Sequence, residues 1–213
     1  MEARTTVAHL YELVQQRASS DPSGVALGGQ QGLAWKTITS RELVELVDRL
    51  AVELAGRGVR ESDRVVLWVP NHWQTPIYLF ALWKLGSIAV PFDREMNPDA
   101  ARTIVASVAP RLIVVGYPDR PSWVPADAVA EWWEPGTLGP SNALAADWSP
   151  PKEELAALYF TSGTTGHPKG CMITHANLLS QVAVLGEIIP LGPDRRMASI
   201  LPLSHLFELT LMT

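Results

Sequence analysis

A short stretch rich in glycine, hydroxyl side chains and one lysine is the part of this sequence best suited to bind an anion. It reads YFTSGTTGHPKG over residues 159–170 and lies between two apolar segments. Glycine lets the backbone turn with positive φ and approach a ligand closely, and successive backbone N–H groups form a concave site for anions. Lys169 adds a full positive charge. The stretch predicts a polyphosphate site, and the alternative is an ordinary turn, which uses the same residue types.

Two common phosphate-binding motifs do not match this stretch. The Walker motif requires a glycine directly before its lysine and Ser or Thr directly after it. Here Pro168 precedes Lys169 and Gly170 follows it. The dinucleotide fingerprint G-x-G-x-x-G is also absent from the sequence. A P-loop kinase and a Rossmann dehydrogenase are therefore disfavoured.

Most of the other reactive side chains are interpreted as structural. His175 follows a predicted helix cap and is expected to pack there, whereas His72 and His167 are expected in loops. Cys171 lies on a predicted strand and is expected to be a buried, unreactive thiol. Asp93 is expected to be a turn residue at a strand end. The spacing of the histidines and the cysteine is not that of a zinc site.

Composition excludes several classes of protein. The 213 residues carry a net charge of -5, with a pI of about 5.5 and no basic run of the kind that binds nucleic acid. A single cysteine rules out an internal disulfide and suits a reducing compartment. The longest apolar stretch, 77–92, is interrupted by Lys84 and is shorter than the roughly 20 residues of a membrane span. We expect a cytoplasmic protein, with peripheral membrane contact left open and no nucleic-acid partner.

The segments that must hold the glycine-rich loop alternate between helix and strand. A helix over 6–18 and two short strands, 24–29 and 33–38, come first. Thr39 or Ser40 then caps a long helix, and Asn97 with Pro98 opens a later one. Short, wholly apolar strands separate these helices (DRVVLWVP, SIAVPF and RLIVVG). This alternation predicts an α/β fold with a parallel sheet and flanking helices.

Residues 116–151 interrupt that alternation. They contain seven prolines and four tryptophans, which predicts an irregular connection whose tryptophans pack on the sheet, with one short strand near 128–133. We therefore divide the chain into an α/β part at 1–115, the connection at 116–151, and the start of a second α/β lobe at 152–213.

After the connection the α/β pattern returns. ELAALYF is a predicted strand, the glycine-rich loop follows, and GCMI is the next strand. Thr174 caps a helix of about a dozen residues. RMASILPL is a further predicted strand, and SHLFELTLMT begins a helix. Because the sequence reaches Thr213 inside an apolar segment without a stop signal, we expect a piece of something longer.

The loop, together with three other segments, is similar to the adenylate-forming (AMP-binding) superfamily, which includes acyl-CoA synthetases, luciferases and peptide-synthetase adenylation domains. The match at YFTSGTTGHPKG is highly specific. The segments 37–71, 82–93 and 200–209 resemble other conserved blocks of that superfamily, in the same order. The form PLSHLFE at 202–208 is most like the long-chain fatty acid–CoA ligases. The resemblance covers nearly the whole sequence and implies the N-terminal, incomplete part of the large domain of such an enzyme.

The resemblance implies a two-step reaction with ATP, Mg²⁺ and coenzyme A. A fatty acid or other carboxylic acid attacks the α-phosphate of ATP to give an acyl-adenylate and pyrophosphate, and a thiol then displaces AMP. The residues that would hold the β- and γ-phosphates are Thr161, Ser162, Gly163, Thr164, Thr165, Gly166 and Lys169. His205 would border the acyl and adenylate pocket, with Glu208 beside it as a second catalytic candidate. No metal ligand is expected in this chain, although Thr164 could lie near Mg²⁺.

Several superfamily motifs are absent from the sequence, among them the adenine-binding segment, the ribose-binding aspartate and the small C-terminal domain with its catalytic lysine. We therefore expect these 213 residues to be inactive alone, and an exposed sheet core to favour self-association. Acyl chain length cannot be predicted. The alternatives are a fatty acyl-AMP ligase, a ligase for another acid, or a non-catalytic anion-binding or scaffolding module.

Overall fold

The protein is described by a computed structural model that covers residues 7–119, 121–124, 129–131, 148–161, 168–188 and 197–199. In chain order its helices are α1 (Leu10–Ser20), α2 (Ser40–Gly56), α3 (Thr75–Lys84), α4 (Pro98–Val108) and α5 (His175–Ile188). Its strands are β1 (Val25–Gln31), β2 (Ala34–Thr39), β3 (Arg64–Trp68), β4 (Ile88–Pro91), β5 (Leu112–Val115), β6 (Val129–Glu131), β7 (Leu155–Thr161) and β8 (Lys169–Thr174).

Six of these strands form one sheet in the order β6–β5–β3–β4–β7–β8. The pairs from β6 to β7 are all parallel, which confirms the predicted α/β architecture. β8 differs, because it runs antiparallel to β7. Only seven residues separate the two strands, and a parallel neighbour needs a crossover of a dozen residues or more. β1 and β2 form a separate antiparallel hairpin.

Side chains of the central strand β3 alternate between two cores. Val65 and Leu67 belong to the core beneath α1, α2 and α3, whereas Val66 and Trp68 belong to the core beneath α4. Successive side chains of a strand point to opposite faces, so a wholly apolar strand marks a sheet covered on both sides. The apolar run that predicted β3 therefore also accounts for its central place in the sheet.

The helix caps predicted at Thr39 and Asn97 are confirmed, whereas the first helix begins at Leu10 and not at residue 6 as predicted. The Thr39 hydroxyl accepts the backbone N–H of Glu42 at 3.2 Å, and the Glu42 carboxylate accepts the backbone N–H of Thr39 at 2.7 Å. These reciprocal bonds satisfy N–H groups that have no partner within the helix. At α4, Asn97 Oδ1 accepts the N–H of Asp99 at 2.9 Å, and Pro98 occupies the first turn.

The connection between β5 and β7 is anchored to the sheet and to the helices beside it at the points that the structure describes. β6 pairs with β5 within the predicted interval 128–133. Trp123 is buried against Trp68 and Phe92, and Trp148 donates its indole N–H to the carbonyl of Lys84 at 2.9 Å. The prediction that tryptophans of this segment pack on the sheet is confirmed for Trp123, whereas Trp148 packs against α1 and α3. Trp132 and Trp133 lie outside the described residues. Because β7 pairs with β4, the sheet includes residues from before and after the connection.

Gly86 is expected to be essential for packing the end of the connection, where it lies against Pro151. Its φ is +70°, and a Cβ there would lie 2.6 Å from Cβ of Pro151. We expect Gly86→Ala to lower the free energy of unfolding in urea by about 1–3 kcal/mol, since it adds left-handed strain to a collision. The matched control is Gly56→Ala at the end of α2, where a Cβ meets no atom within 4 Å. Equal stability of the two variants would contradict this account.

Candidate functional site

The hairpin of β7 and β8 carries two of the predicted phosphate-binding residues, Thr161 and Lys169. Thr161 is the last residue of β7, and Lys169, the first residue of β8, is its direct partner in the ladder. Both are exposed. A hydroxyl and an ammonium group therefore face solvent on either side of the loop's base. The other predicted phosphate-binding residues, Ser162, Gly163, Thr164, Thr165 and Gly166, lie outside the described residues, as do the catalytic candidates His205 and Glu208.

Gly170 does not provide the positive-φ turn expected of the glycines in this stretch. It lies within β8 without a positive φ, so its conformation is open to other residues. The constraint is one of space, because a Cβ at this position would lie 3.2 Å from the ring of Phe160 on β7. Glycine at 170 therefore lets the Phe160 ring cover the hairpin directly beneath the loop.

The glycine-rich loop projects from the carboxyl edge of the sheet, because β7 runs parallel to its neighbour β4. The strand order reverses between β3 and β5, since β3 leads through α3 to β4 on one side and β5 leads to β6 on the other. The loops that follow β3 and β5 therefore diverge at the same carboxyl edge. Ligands of open α/β sheets bind at such switch points.

Side chains at this edge form an ordered surface. The guanidinium of Arg94 lies 4.8 Å from the ring centroid of Tyr117, and the Tyr117 hydroxyl donates to the carbonyl of Val69 at 3.3 Å. Burial raises the pKa of Tyr117, and the charge of Arg94 opposes that shift. Asp93 accepts the N–H of Glu95 at 2.8 Å, as expected of a turn residue at a strand end.

At the opposite end of β8, Thr174 begins α5 as predicted. Its hydroxyl accepts the N–H of Asn177 at 3.1 Å, and Asn177 Oδ1 accepts the N–H of Thr174 at 3.0 Å. The prediction for Cys171 is wrong, because this thiol is exposed. β8 is the outermost strand of the described sheet, so its outer side lacks the cover that a central strand has.

His175 is buried, as predicted, and its ring packs on a residue that the sequence analysis did not single out. The ring centroids of His9 and His175 are 3.8 Å apart. Burial lowers the pKa of His9 to about 4, against the opposing charge of Glu12. It lowers the pKa of His175 to about 3, and the charge of His9 adds to that shift. His9 is the N-cap of α1, and a histidine is an unusual cap, so cap preference gives no signal for it.

A buried ion pair joins α2 and α3 next to Tyr11 on α1. Lys84 on α3 bonds to Asp48 on α2 with Nζ and Oδ1 2.5 Å apart, and the Tyr11 hydroxyl donates to the same carboxylate oxygen at 2.7 Å. The Lys84 and Asp48 side chains are only 3% and 13% exposed. Burial, followed by the bond to Asp48, raises the pKa of Tyr11. The three groups join α1, α2 and α3 in the core next to the sheet.

Within the part of the chain that the structure describes, no helix has the length and apolar character needed to cross a membrane. The same residues contain no group of three or more His, Cys, Asp or Glu side chains placed to hold a metal ion.

Comparison with known proteins gives a match to the family described as AMP-binding enzyme over residues 14–213. The long-chain-fatty-acid–CoA ligase FadD13 of Mycobacterium tuberculosis is 27% identical over 184 residues, covering 81% of this chain and 37% of that protein. The 4-chlorobenzoate–CoA ligase of an Arthrobacter species is 28% identical over 205 residues, covering 92% of this chain and 39% of the relative. The chain thus spans less than half the length of these relatives.

Among solved structures, the fatty acyl-adenylate ligase of L. pneumophila, in complex with acyl adenylate and pyrophosphate, superposes with a TM-score of 0.79 at 22% identity. The match covers 99% of this chain and 38% of that one. At this identity the likeness shows the fold, which is that of the N-terminal part of adenylate-forming enzymes.

Proposed function

The chain belongs to the AMP-binding enzyme family, and we propose that it carries the phosphate-binding part of an ATP-dependent acid–CoA ligase. In the first step a carboxylate oxygen bonds to the α-phosphorus of ATP while the bond to the bridging oxygen breaks, which releases pyrophosphate. In the second, a thiol sulfur bonds to the acyl carbon and AMP leaves with the carboxyl oxygen. The relatives that act on fatty and chlorobenzoic acids support the ligase class.

The observation that carries this proposal is the pairing of Thr161 with Lys169 at the base of the loop. Both are exposed at the carboxyl edge of the sheet, which fits an anionic ligand. Fixed donors aimed at phosphate oxygens stabilise the charge that develops on a leaving pyrophosphate. We propose that Lys169, Thr161 and the loop residues 162–166 hold the β- and γ-phosphates, and that Mg²⁺, which neutralises phosphate charge, lies near Thr164.

The finer assignment is a long-chain fatty acid as substrate. It is supported by the PLSHLFE sequence at 202–208 and by the relationship to FadD13. We propose His205 at the border of the acyl and adenylate pocket and Glu208 beside it. A fatty acyl-AMP ligase, which stops at the adenylate, is the second candidate, because the solved ligase from L. pneumophila shares this fold.

Product analysis separates these two functions. A longer protein that contains this chain is incubated with ATP, Mg²⁺ and a series of fatty acids, with and without coenzyme A, and the products are identified by mass spectrometry. We expect acyl-CoA to replace acyl-AMP when coenzyme A is added. Acyl-AMP that persists would favour the adenylate-only enzyme, and activation of aromatic acids alone would contradict the fatty acid assignment.

We further propose that the chain divides at residues 115 and 151 and that the protein is cytoplasmic, with peripheral membrane contact. We also propose that the 213-residue chain associates with itself. Self-association is supported by exposed apolar side chains on β8 and α5, namely Met172, Val184 and Ile188. Sedimentation of a clean monomer at high concentration would contradict it.

A further inference from the structure

Two buried histidines connect the first helix to the end of the loop-bearing hairpin. His9 caps α1 and His175 begins α5, and the two residues are 3% and 4% exposed. Their ring centroids lie 3.8 Å apart at an interplanar angle of 31°. His175 directly follows Thr174, the last residue of β8, whereas Lys169 at the other end of that strand adjoins the loop. The contact therefore fixes the end of β8 that lies away from the ligand edge.

Hydrogen bonds determine which nitrogen of each ring carries a proton. Nδ1 of His9 accepts the N–H of Tyr11 at 3.2 Å, and Nδ1 of His175 accepts the N–H of Leu10 at 3.4 Å, 165 positions away. A ring nitrogen that accepts a hydrogen bond carries no hydrogen, so each neutral ring is protonated on Nε2. Both Nε2 atoms are buried without a hydrogen-bond partner among the described residues.

A second proton would have to attach to Nδ1, where each ring already faces a backbone N–H. Protonation of His9 would remove the bond that caps α1, and protonation of His175 would remove the bond that joins α5 to α1. The charge would also be placed against the other ring in a site closed by Trp148, which lies 5.4 Å from the ring of His9, and by Trp83, which lies 5.9 Å from that of His175. Hydrogen bonding and burial therefore both favour the neutral pair.

Charged and polar groups from several elements lie around the His9–His175 pair. On α1, the Glu12 carboxylate accepts the backbone N–H of His9 at 3.0 Å. The Tyr11 ring packs edge-on against Trp148, and Asp48 of α2 and Lys84 of α3 bond to the Tyr11 hydroxyl. The segment before β7 contacts His175 through the backbone carbonyl of Glu154, at 3.0 Å. Of these groups, the Glu12 carboxylate opposes the fall in the pKa of His9, and burial outweighs it.

We propose that His9 and His175 form a proton-sensitive latch that holds helix α1 against the base of the β7–β8 hairpin and so positions the phosphate-binding loop. The role of the loop rests on the proposed function, but the latch itself rests on the contacts of the two rings. Both histidines act through the hairpin and are positioning residues.

The latch is expected to weaken as the pH falls. Both folded-state pKa values lie below the ordinary value of 6.5, at about 4 for His9 and about 3 for His175. The open state therefore binds more protons than the closed state between pH 6.5 and 4. The stability of the latch is fully present above pH 6.5 and is lost as the pH falls through this window. For each histidine whose pKa differs between the open and closed states, the equilibrium constant for opening rises by up to about tenfold per pH unit.

Hydrogen exchange of the 213-residue chain measures the latch without any ligand. The amides of Leu10 and Tyr11 belong to the first turn of α1, where N–H groups have no partner inside the helix. Their protection, corrected for the intrinsic pH dependence of exchange, reports their bonds to the two histidines. We expect it to fall about fivefold for each histidine that titrates, or about 30-fold for the pair, between pH 6.5 and 5.5. The amide of Ala101, which bonds to Asn97 at 2.9 Å in α4, should keep its protection.

The matched variants replace each histidine with a residue that accepts a hydrogen bond and does not titrate in this range. His9→Asn retains a favoured helix cap, and His9→Asn with His175→Gln removes both titrating groups. Protection of Leu10 and Tyr11 should not change with pH in the double variant. If the double variant does not fold, His9→Asn alone should show a smaller pH dependence than the unaltered chain. The same pH dependence in these variants, or an equal loss at Ala101, would overturn the latch.

A second measurement tests the connection to the loop. The Kd for ATP is measured at pH 7.5 and 5.5 for a longer protein that contains this chain and for its double variant. We expect acid to weaken binding several-fold more in the unaltered protein. An equal change in both would overturn the positioning role. Absence of ATP binding at either pH would refute the proposed function and the positioning role with it, whereas the exchange measurement would still decide whether the latch exists.

Discussion

Lys169→Ala is expected to raise the Kd for ATP about 10- to 100-fold, since hydrogen bonds to charged groups are worth about 1.5–3 kcal/mol and 1.4 kcal/mol corresponds to a factor of ten. Lys169 is exposed at the edge of the described sheet. Its ammonium group is thus available to a ligand, and removing it should cost little stability. Titration calorimetry with ATP and Mg²⁺, on a longer protein that contains this chain, measures the effect.

The matched control for this experiment is Lys152→Ala. Lys152 is also exposed, but it precedes β7 and so lies at the opposite end of that strand from the loop. The two variants remove the same charge from the protein, and only one removes it from the ligand edge. An equal, small effect of both would mean that Lys169 does not contact the phosphates.

Lys84→Ala is expected to lower the free energy of unfolding by about 3–5 kcal/mol, since removing one partner of a buried ion pair leaves the other charge uncompensated. Asp48 would keep the bond from the Tyr11 hydroxyl but would lose the ammonium group 2.5 Å away. The pair connects α2 to α3, so the loss should be global. Chemical denaturation followed by tryptophan fluorescence measures it.

Replacing both charges together distinguishes the ion pair from simple loss of packing. Asp48→Asn with Lys84→Met removes both charges, keeps an acceptor for the Tyr11 hydroxyl and fills most of the lysine's volume. We expect it to cost less than half as much as Lys84→Ala, because replacing a buried pair with uncharged groups is often close to neutral. A double variant as unstable as the single one would show that packing, and not charge, dominates there.

Local features of the fold could be predicted from the sequence because their causes lie within a few residues. Thr39, Asn97 and Thr174 each bond to N–H groups two or three positions ahead, and each helix begins where its cap predicts. The apolar runs of β3, β4 and β5 likewise predicted strands buried on both faces. Local hydrogen bonding and side-chain periodicity are both visible in a single sequence.

Features that depend on distant parts of the chain could not be predicted in this way. An apolar strand looks alike at the centre and at the edge of a sheet, so Cys171 on β8 was expected to be buried and is exposed. The contact between His9 and His175 depends on how α1 and α5 pack, and no periodicity indicates it. For the candidate site, motif similarity selected the loop, while the sheet order supplies the switch point between β3 and β5 at the same carboxyl edge.

ATP–pyrophosphate exchange with a panel of carboxylic acids is the most direct test of the central proposal, that this chain carries the phosphate-binding part of an acid-activating ligase. It is measured on the 213-residue chain and on a longer protein that contains it, since exchange requires an acyl-adenylate to form reversibly. We predict exchange by the longer protein with at least one fatty acid and none by the 213 residues alone. No exchange by either protein with any fatty or aromatic acid would contradict the proposal and favour a non-catalytic anion-binding module.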